Sequence, residues 1–316
     1  MTMNIFSSRL TPLVMVVAII IVVPLIAPSN YYLRLASLVS IFALTAIGLN
    51  LLMGYAGQVS LGHAGFMGIG AYSVALAPVH LGVHSIAGGA LGALASCLLA
   101  WTIGRPILRL KGYYLAMGTL ACGMLIWLVL SNASSITGGP DGMNVERVQL
   151  GAYSLRGVLV WYWITAVALV IGMVLAINLL HSSTGRALRS IHDSEIAATV
   201  SGIDVAKQKS RVFVISAAYA SVSGSLLALV NGQVTPDSTA GFLRSIEVVT
   251  MVVLGGMGSI GGSIVGAAFM VLLPQILTVF HDYEHMILGL IMMACMILLR
   301  NGIVPTLIAK FRGQEG

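Results

Sequence analysis

Between Leu13 and Leu299 one apolar run follows another, and almost no charge interrupts them. A spanning helix needs about 20 predominantly apolar residues. Runs near that length occur at Leu13–Ala27, Leu35–Met53, Ala64–Pro78, Ile86–Ile103, Tyr113–Leu130, Val158–Leu180, Val212–Val230 and Met286–Leu299. The stretch Ile246–Phe280 is too long for one span. It is interrupted by Gly255-Gly256-Met257-Gly258 and Gly261-Gly262, which predicts two helices meeting at the break. The expectation is an all-α integral membrane protein of about ten transmembrane helices, with residues 1–316 forming a single transmembrane domain. Only 8% of residues are charged, against roughly 25% in soluble domains. Too few charges are present to cover a water-facing surface of this size, so most of the outside must face lipid.

The net charge of +6 does not point to nucleic acid, because the basic residues stand singly or in short groups between apolar runs. Arg105, Arg109 and Lys111 fill one connection. Arg186, Arg189, Lys207, Lys209 and Arg211 fill the loop 181–211, and Lys310 and Arg312 the tail. With ten spans these groups share one side with the amino terminus, and the positive-inside rule makes that side cytoplasmic, N-in/C-in. Counting the Gly-broken segment as one span would instead put the tail outside. The loop 131–157, rich in Gly, Ser and Asn, then lies outside. Cys97, Cys122 and Cys295 sit in apolar runs without metal-ligand spacing and read as packing residues. Met1–Ala27 imitates a signal peptide but lacks a small-residue cleavage site, and reads as a retained first span.

Two stretches carry mechanism. In the first, Asn50 to Phe66, the hydrogen-bonding side chains Asn50, Gln58, Ser60 and His63 alternate with Gly54, Gly57, Gly62 and Gly65. Such groups are costly against lipid and should face the interior. They can line a polar route, or staple a helix break internally; for His63 a satisfied buried histidine is the simpler reading. Gly54, Gly57 and Gly65 recur in spacing as Gly255, Gly258 and Gly266, either as a true repeat or by chance among 36 glycines. Paired Gly-interrupted segments in a transporter point to its central pathway. The second stretch is Ser183–Gly202. Thr184 can cap a short helix that Gly202 ends, and Asp204 can cap the next helix. A capped helix between two spans is a solvated face, or something a partner can grip.

The chain holds no G-x-x-x-x-G-K-[ST] loop, and no acidic residue sits mid-span apart from Glu247, near the outer start of a segment. Ion-coupled carriers keep such groups at membrane depth, so the chain reads as passive or driven by another subunit. An intramembrane enzyme is disfavoured because His63 has no acidic or cysteine neighbour. No cofactor is expected.

Gly48–Tyr72, Thr184–Gly202 continuing to Ala217, Thr137-Gly138-Gly139-Pro140-Asp141-Gly142 and Leu254–Gly266 together resemble the permease subunits of branched-chain amino acid ABC importers. The Thr-Gly-Gly-x-x-Gly element favours the LivM type over the LivH type. Glu195-Ile196-Ala197-Ala198 followed by Gly202 is similar to the E-A-A…G signature of importer permeases, departing from it by the inserted Ile196. The resemblance implies a coupling helix seated on an ATPase, with polar contacts from Arg186, Arg189 and Glu195, close approach at Ala197 and Ala198, and Gly185 and Gly202 in the same coupling segment. It further implies a LivH-type second permease, two ABC ATPases, an external substrate-binding protein and a bacterial inner membrane. The cargo is then a branched-chain or related amino acid, passing near Asn50, Gln58, Ser60 and His63. Urea or short amides, or a passive channel, stand as alternatives.

Overall fold

The computed structural model describes residues 3–110, 112–146, 149–150, 153–154 and 157–277, with short pieces at 289–290, 292–293, 297 and 302–306. Its long helices are α1 (Met3–Ile26), α2 (Asn30–Ala56), α3 (His63–Leu76), α4 (Ser85–Ile107), α5 (Tyr113–Asn132), α7 (Val158–His181), α10 (Val205–Asn231), α12 (Phe242–Gly255) and α13 (Ile260–Leu277). Short helices connect them: α6 (Ser134–Thr137), α8 (Ser183–Asp193), α9 (Glu195–Val200) and α11 (Pro236–Ala240). A π-helical turn, Ala77–Leu81, extends α3. Two small antiparallel ladders join β1 (Met143–Asn144) to β4 (Gln233–Val234) and β2 (Gln149–Leu150) to β3 (Tyr153–Ser154).

Eight helical segments among the described residues are long and apolar enough to cross a membrane, and α1 adds a shorter apolar stretch, Pro12–Ile26. The break expected inside Ile246–Phe280 is present between α12 and α13. The span expected at Met286–Leu299, and Cys295 within it, lie largely outside the described residues.

Burial is inverted relative to a soluble bundle. On α4, Gly88, Gly92, Ser96, Ala100 and Gly104 are buried at four-residue spacing, while Leu94, Leu98 and Trp101 are exposed. Small residues inward let backbones approach, and large apolar residues outward suit lipid. Helix α2 is apolar all round and buried all round from Ser40 to Met53, which marks it as the centre. It packs against α10, α7, α13 and α12, and α10 in turn packs on α3 and α4. The α3–α10 seam brings backbone against backbone. A Cβ added at Gly70 would meet the Ser221 carbonyl at 1.9 Å, and one at Gly224 the Met67 carbonyl at 2.0 Å.

At one end of the bundle the Thr137–Gly142 motif ties α5 to α10. Gly138, Gly139 and Gly142 all have positive φ, and the buried Thr137 hydroxyl donates to the carbonyls of Leu130 and Ala133. Gly142 leaves no room for a Cβ, which would lie 1.9 Å from the Val234 carbonyl on β4.

Candidate functional site

Two interrupted helices meet at the centre. Helix α2 ends where Gly57 takes φ 65°, and the N–H groups of Gly57 and Gln58 both donate to the Leu52 carbonyl. The chain then doubles back. Ser216 on α10 shows how far: its hydroxyl donates to the Gly48 carbonyl at 2.6 Å and lies 2.5 Å from His63 Nε2. So α3 begins level with Gly48, two turns inside the end of α2. Non-helical backbone at such depth needs partners, and it has them: the Leu61 N–H donates to Thr119 Oγ1 on α5, and the Ala64 N–H to Ser245 Oγ on α12.

The second interruption, between α12 and α13, turns on Gly256 (φ 115°) and Gly258 (φ 77°). Asn50 holds it. Its Nδ2 donates to the Ser259 carbonyl at 2.8 Å and to Ser263 Oγ at 2.7 Å, and its Oδ1 accepts from the Gly258 N–H at 2.9 Å. Gly54 lies alongside, where a Cβ would fall 2.0 Å from Asn50 Oδ1 and 2.2 Å from the Gly258 nitrogen. The two glycine breaks that echo each other in sequence are therefore in contact in space.

The four polar residues of the first stretch are all buried. His63 has both ring nitrogens engaged: Nδ1 sits 3.0 Å from Ser60 Oγ, Nε2 faces Ser216, and the ring meets Phe66 and Phe213 edge-on. Because the Ser216 hydroxyl donates to Gly48, it accepts from Nε2–H, which fixes the neutral tautomer with Nδ1 accepting from Ser60. Gln58 Nε2 donates to the Ala56 carbonyl, while its buried Oε1 has no hydrogen-bond partner among the described residues. None of the four lines the cavities of 910, 730, 470 or 410 Å³. They form a closed junction.

The loop 181–211 folds as two helices where one was expected. Ser182, rather than Thr184, caps α8 by accepting from the Gly185 N–H, because Thr184 already lies inside the helix. Ser194 breaks the helix with extended backbone and caps α9 through the Ala197 N–H. Gly202 (φ 80°) ends it, and the Ile203 N–H returns to the Ala198 carbonyl. Asp204 caps α10 as expected. A Cβ at Gly185 would overlap the Leu180 carbonyl at 2.3 Å.

Side chains expected to reach outward turn back. Arg189 donates to the Leu180 carbonyl and Arg186 to the His181 carbonyl, satisfying the frayed end of α7. Glu195 pairs at 2.6 Å with Lys209, whose side chain is 5% exposed. Ala198 is buried and Ala197 exposed. What α9 presents to its surroundings is Ile196, 80% exposed, and Val200, 84% exposed, one turn apart. Sequence reasoning treated Ile196 as a departure from a motif, when its exposure is the informative feature. At the C-terminal end of α8, next to α9, His192 packs on Gly57, with its ring 3.4 Å from where a Cβ would stand. The loop helices thus touch the α2 break directly.

The 910 Å³ cavity lies at this same end, walled by α4, α7, α8 and α10, and carries Arg105, Arg109, Lys207 and Arg211. The 410 Å³ cavity lies between α2, α10, α12 and α13 and contains Arg244 and Glu247. Arg244 lies 5.1 Å over the Phe42 ring, and Phe42 is the thirteenth of the 27 residues of α2. Glu247 is therefore not at the outer edge of the bundle: it pairs with Arg244 at mid-helix depth, 2.5 Å away. The absence of mid-depth acidic residues no longer counts against a self-powered carrier.

The chain matches the family described as branched-chain amino acid transport system / permease component over residues 31–296. It is 31% identical to the high-affinity branched-chain amino acid transport system permease protein LivM of Salmonella typhimurium, over 89% of this chain and 72% of that one. To the corresponding LivH protein of Escherichia coli it is 25% identical, over 78% and 84% of the two chains. To BraD of Pseudomonas aeruginosa it is 30% identical, over 72% and 78%. No solved structure matches it significantly. The broken-helix bundle and the family match lead to one conclusion: the chain belongs to the branched-chain amino acid transport system permease family, as a multi-pass transport subunit of the bacterial inner membrane and not an enzyme.

Proposed function

We propose that the chain forms one half of the membrane path of an ATP-driven importer, moved from the cytoplasm through α8 and α9. The carrying observation is the contact between His192 at the end of α8 and Gly57 at the α2 break. A load on the loop helices reaches the junction of the two glycine breaks where α8 rests on the end of α2. The exposed pair Ile196 and Val200 is the docking face for an ATPase subunit. Glu195, Arg186, Arg189, Gly185, Ala198 and Gly202 hold that face in shape, and Ala197 leaves it room for close approach.

The rest of the assembly is proposed as a LivH-type second permease, two ABC ATPases and an external binding protein that delivers a branched-chain or related amino acid. The clustering of Arg105, Arg109, Lys207 and Arg211 around the α8 end supports placing that end in the cytoplasm. With a span at 286–299 the count becomes ten, N-in/C-in, in a single transmembrane domain. Asn50, Gln58, Ser60 and His63 then act as a gate that opens when the breaks at Gly54, Gly57, Gly255 and Gly258 part, instead of lining a standing channel.

Co-expression of the chain with its partner subunits tests this. Ile196→Glu and Val200→Glu should each abolish co-purification of the ATPase while the permease stays folded in detergent. Stoichiometric complexes with both substitutions present would overturn the docking assignment.

A further inference from the structure

An ion pair level with the middle of α2 needs an explanation. Taking two charges out of water costs several kcal/mol each, and mutual attraction repays this only in good geometry. Intramembrane ionisable residues are functional-site candidates by default, substrate sites among them. Arg244 and Glu247 stand three residues apart on α12, a spacing that is common on water-facing helices. Here, however, the guanidinium lies over Phe42 at the middle of α2 and its Nε donates to the Ser238 carbonyl at 3.0 Å. The pair forms one wall of the 410 Å³ cavity, whose other walls include Leu38, Met251, Met270 and Val271. That volume suits a small ligand. The charges are also within reach of one, since the Arg244 side chain is 25% exposed and that of Glu247 41%.

We propose that Arg244 and Glu247 are a binding site for the two charged ends of a free α-amino acid, a reading that rests on the transport role above. The α-carboxylate takes the guanidinium, the α-ammonium takes the Glu247 carboxylate, and an aliphatic side chain lies against Leu38, Met251, Met270 and Val271. Electroneutrality makes the site workable at this depth. The empty pair is neutral, and so is the pair with a zwitterion inserted between its charges, so no net charge enters or leaves a low-dielectric region. An amine or an acid alone would leave one charge uncompensated, and an uncharged amide or urea gains neither charge contact. The site therefore selects by charge pattern against cargo that the apolar wall alone would admit. Because the empty pair already satisfies itself, binding is weak, as passage requires.

The test uses the complex of both permeases and both ATPases, with direct leucine binding to the purified complex read by scintillation proximity, and uptake of labelled leucine in proteoliposomes supplied with the external binding protein. Wild-type complex should bind leucine in competition with other aliphatic amino acids, and not with 4-methylpentanoate or isopentylamine, which keep the side chain but lack one charge. Arg244→Gln and Glu247→Gln should weaken binding at least tenfold in complexes that co-purify at wild-type yield. Met270→Trp, which fills the cavity and leaves the pair intact, should do the same. Competition by either singly charged analogue as strong as by leucine, or leucine binding unchanged in the three variants, overturns the site. Absence of amino-acid uptake by wild-type complex would instead sink the transport role itself.

Discussion

Asn50 is the residue on which the junction turns, because one amide makes three hydrogen bonds to backbone and side chain across the second break. Asn50→Leu removes all three and strands the Gly258 N–H, at roughly 1–3 kcal/mol for a buried group left unpaired. Its melting temperature in detergent should fall clearly below that of wild type. Gly54→Ala should behave similarly, with overpacking of about 1–3 kcal/mol, since its new methyl would lie 2.0 Å from Asn50 Oδ1. Gly261→Ala is the control: it meets nothing within 4 Å and sits in α13, where alanine is favoured over glycine, so its melting temperature should be unchanged or higher. Equal melting of the two alanine variants would mean the breaks do not press together. Burial of Asn50, Gln58, Ser60 and His63 was legible in the sequence, because polar groups avoid lipid. The distant partners of Asn50 and His63 were not, since Ser216, Ser259 and Ser263 lie more than 150 residues away and nothing local announces them.

At the scale of elements, the loop 181–211 shows where sequence reasoning reaches. Caps at Gly202 and Asp204 follow from local chemistry and were readable. Ser194 was read as part of one helix, although a serine ahead of Glu195 is itself a cap signal. The inward turn of Arg186 and Arg189 depends on where α7 frays, a tertiary fact. The Glu195–Lys209 pair has a practical consequence: Glu195→Lys would set two ammonium groups together beside a side chain that is 5% exposed. That substitution should destabilise the permease itself by about 1–3 kcal/mol, given that Glu195 is partly solvated, and so lower its melting temperature. It is therefore a poor probe of docking. Ile196→Glu and Val200→Glu, at 80% and 84% exposure, should leave melting unchanged and act only on the complex. A drop in melting with either would place these side chains inside the fold.

For the whole molecule, the all-helical membrane class, the α12–α13 break and most span positions were legible from apolar run length alone. The mid-depth position of Arg244 and Glu247 was not. It arises because α11 and α12 enter the bundle as a short helical pair, so distance from the end of an apolar run misjudges depth. Liposomes holding this chain without partners should show no amino-acid flux above protein-free liposomes, since the junction is closed and nothing drives it. Sustained flux would favour a passive facilitator. The Gly70–Ser221 and Gly224–Met67 contacts also limit which parts can travel during a transport cycle. With backbone resting on backbone at these two points, α3 and α10 have little slack to roll, so they work as a fixed keel. A covalent cross-link between them should leave turnover intact, whereas one fastening α2 to the α12–α13 turn should stall it.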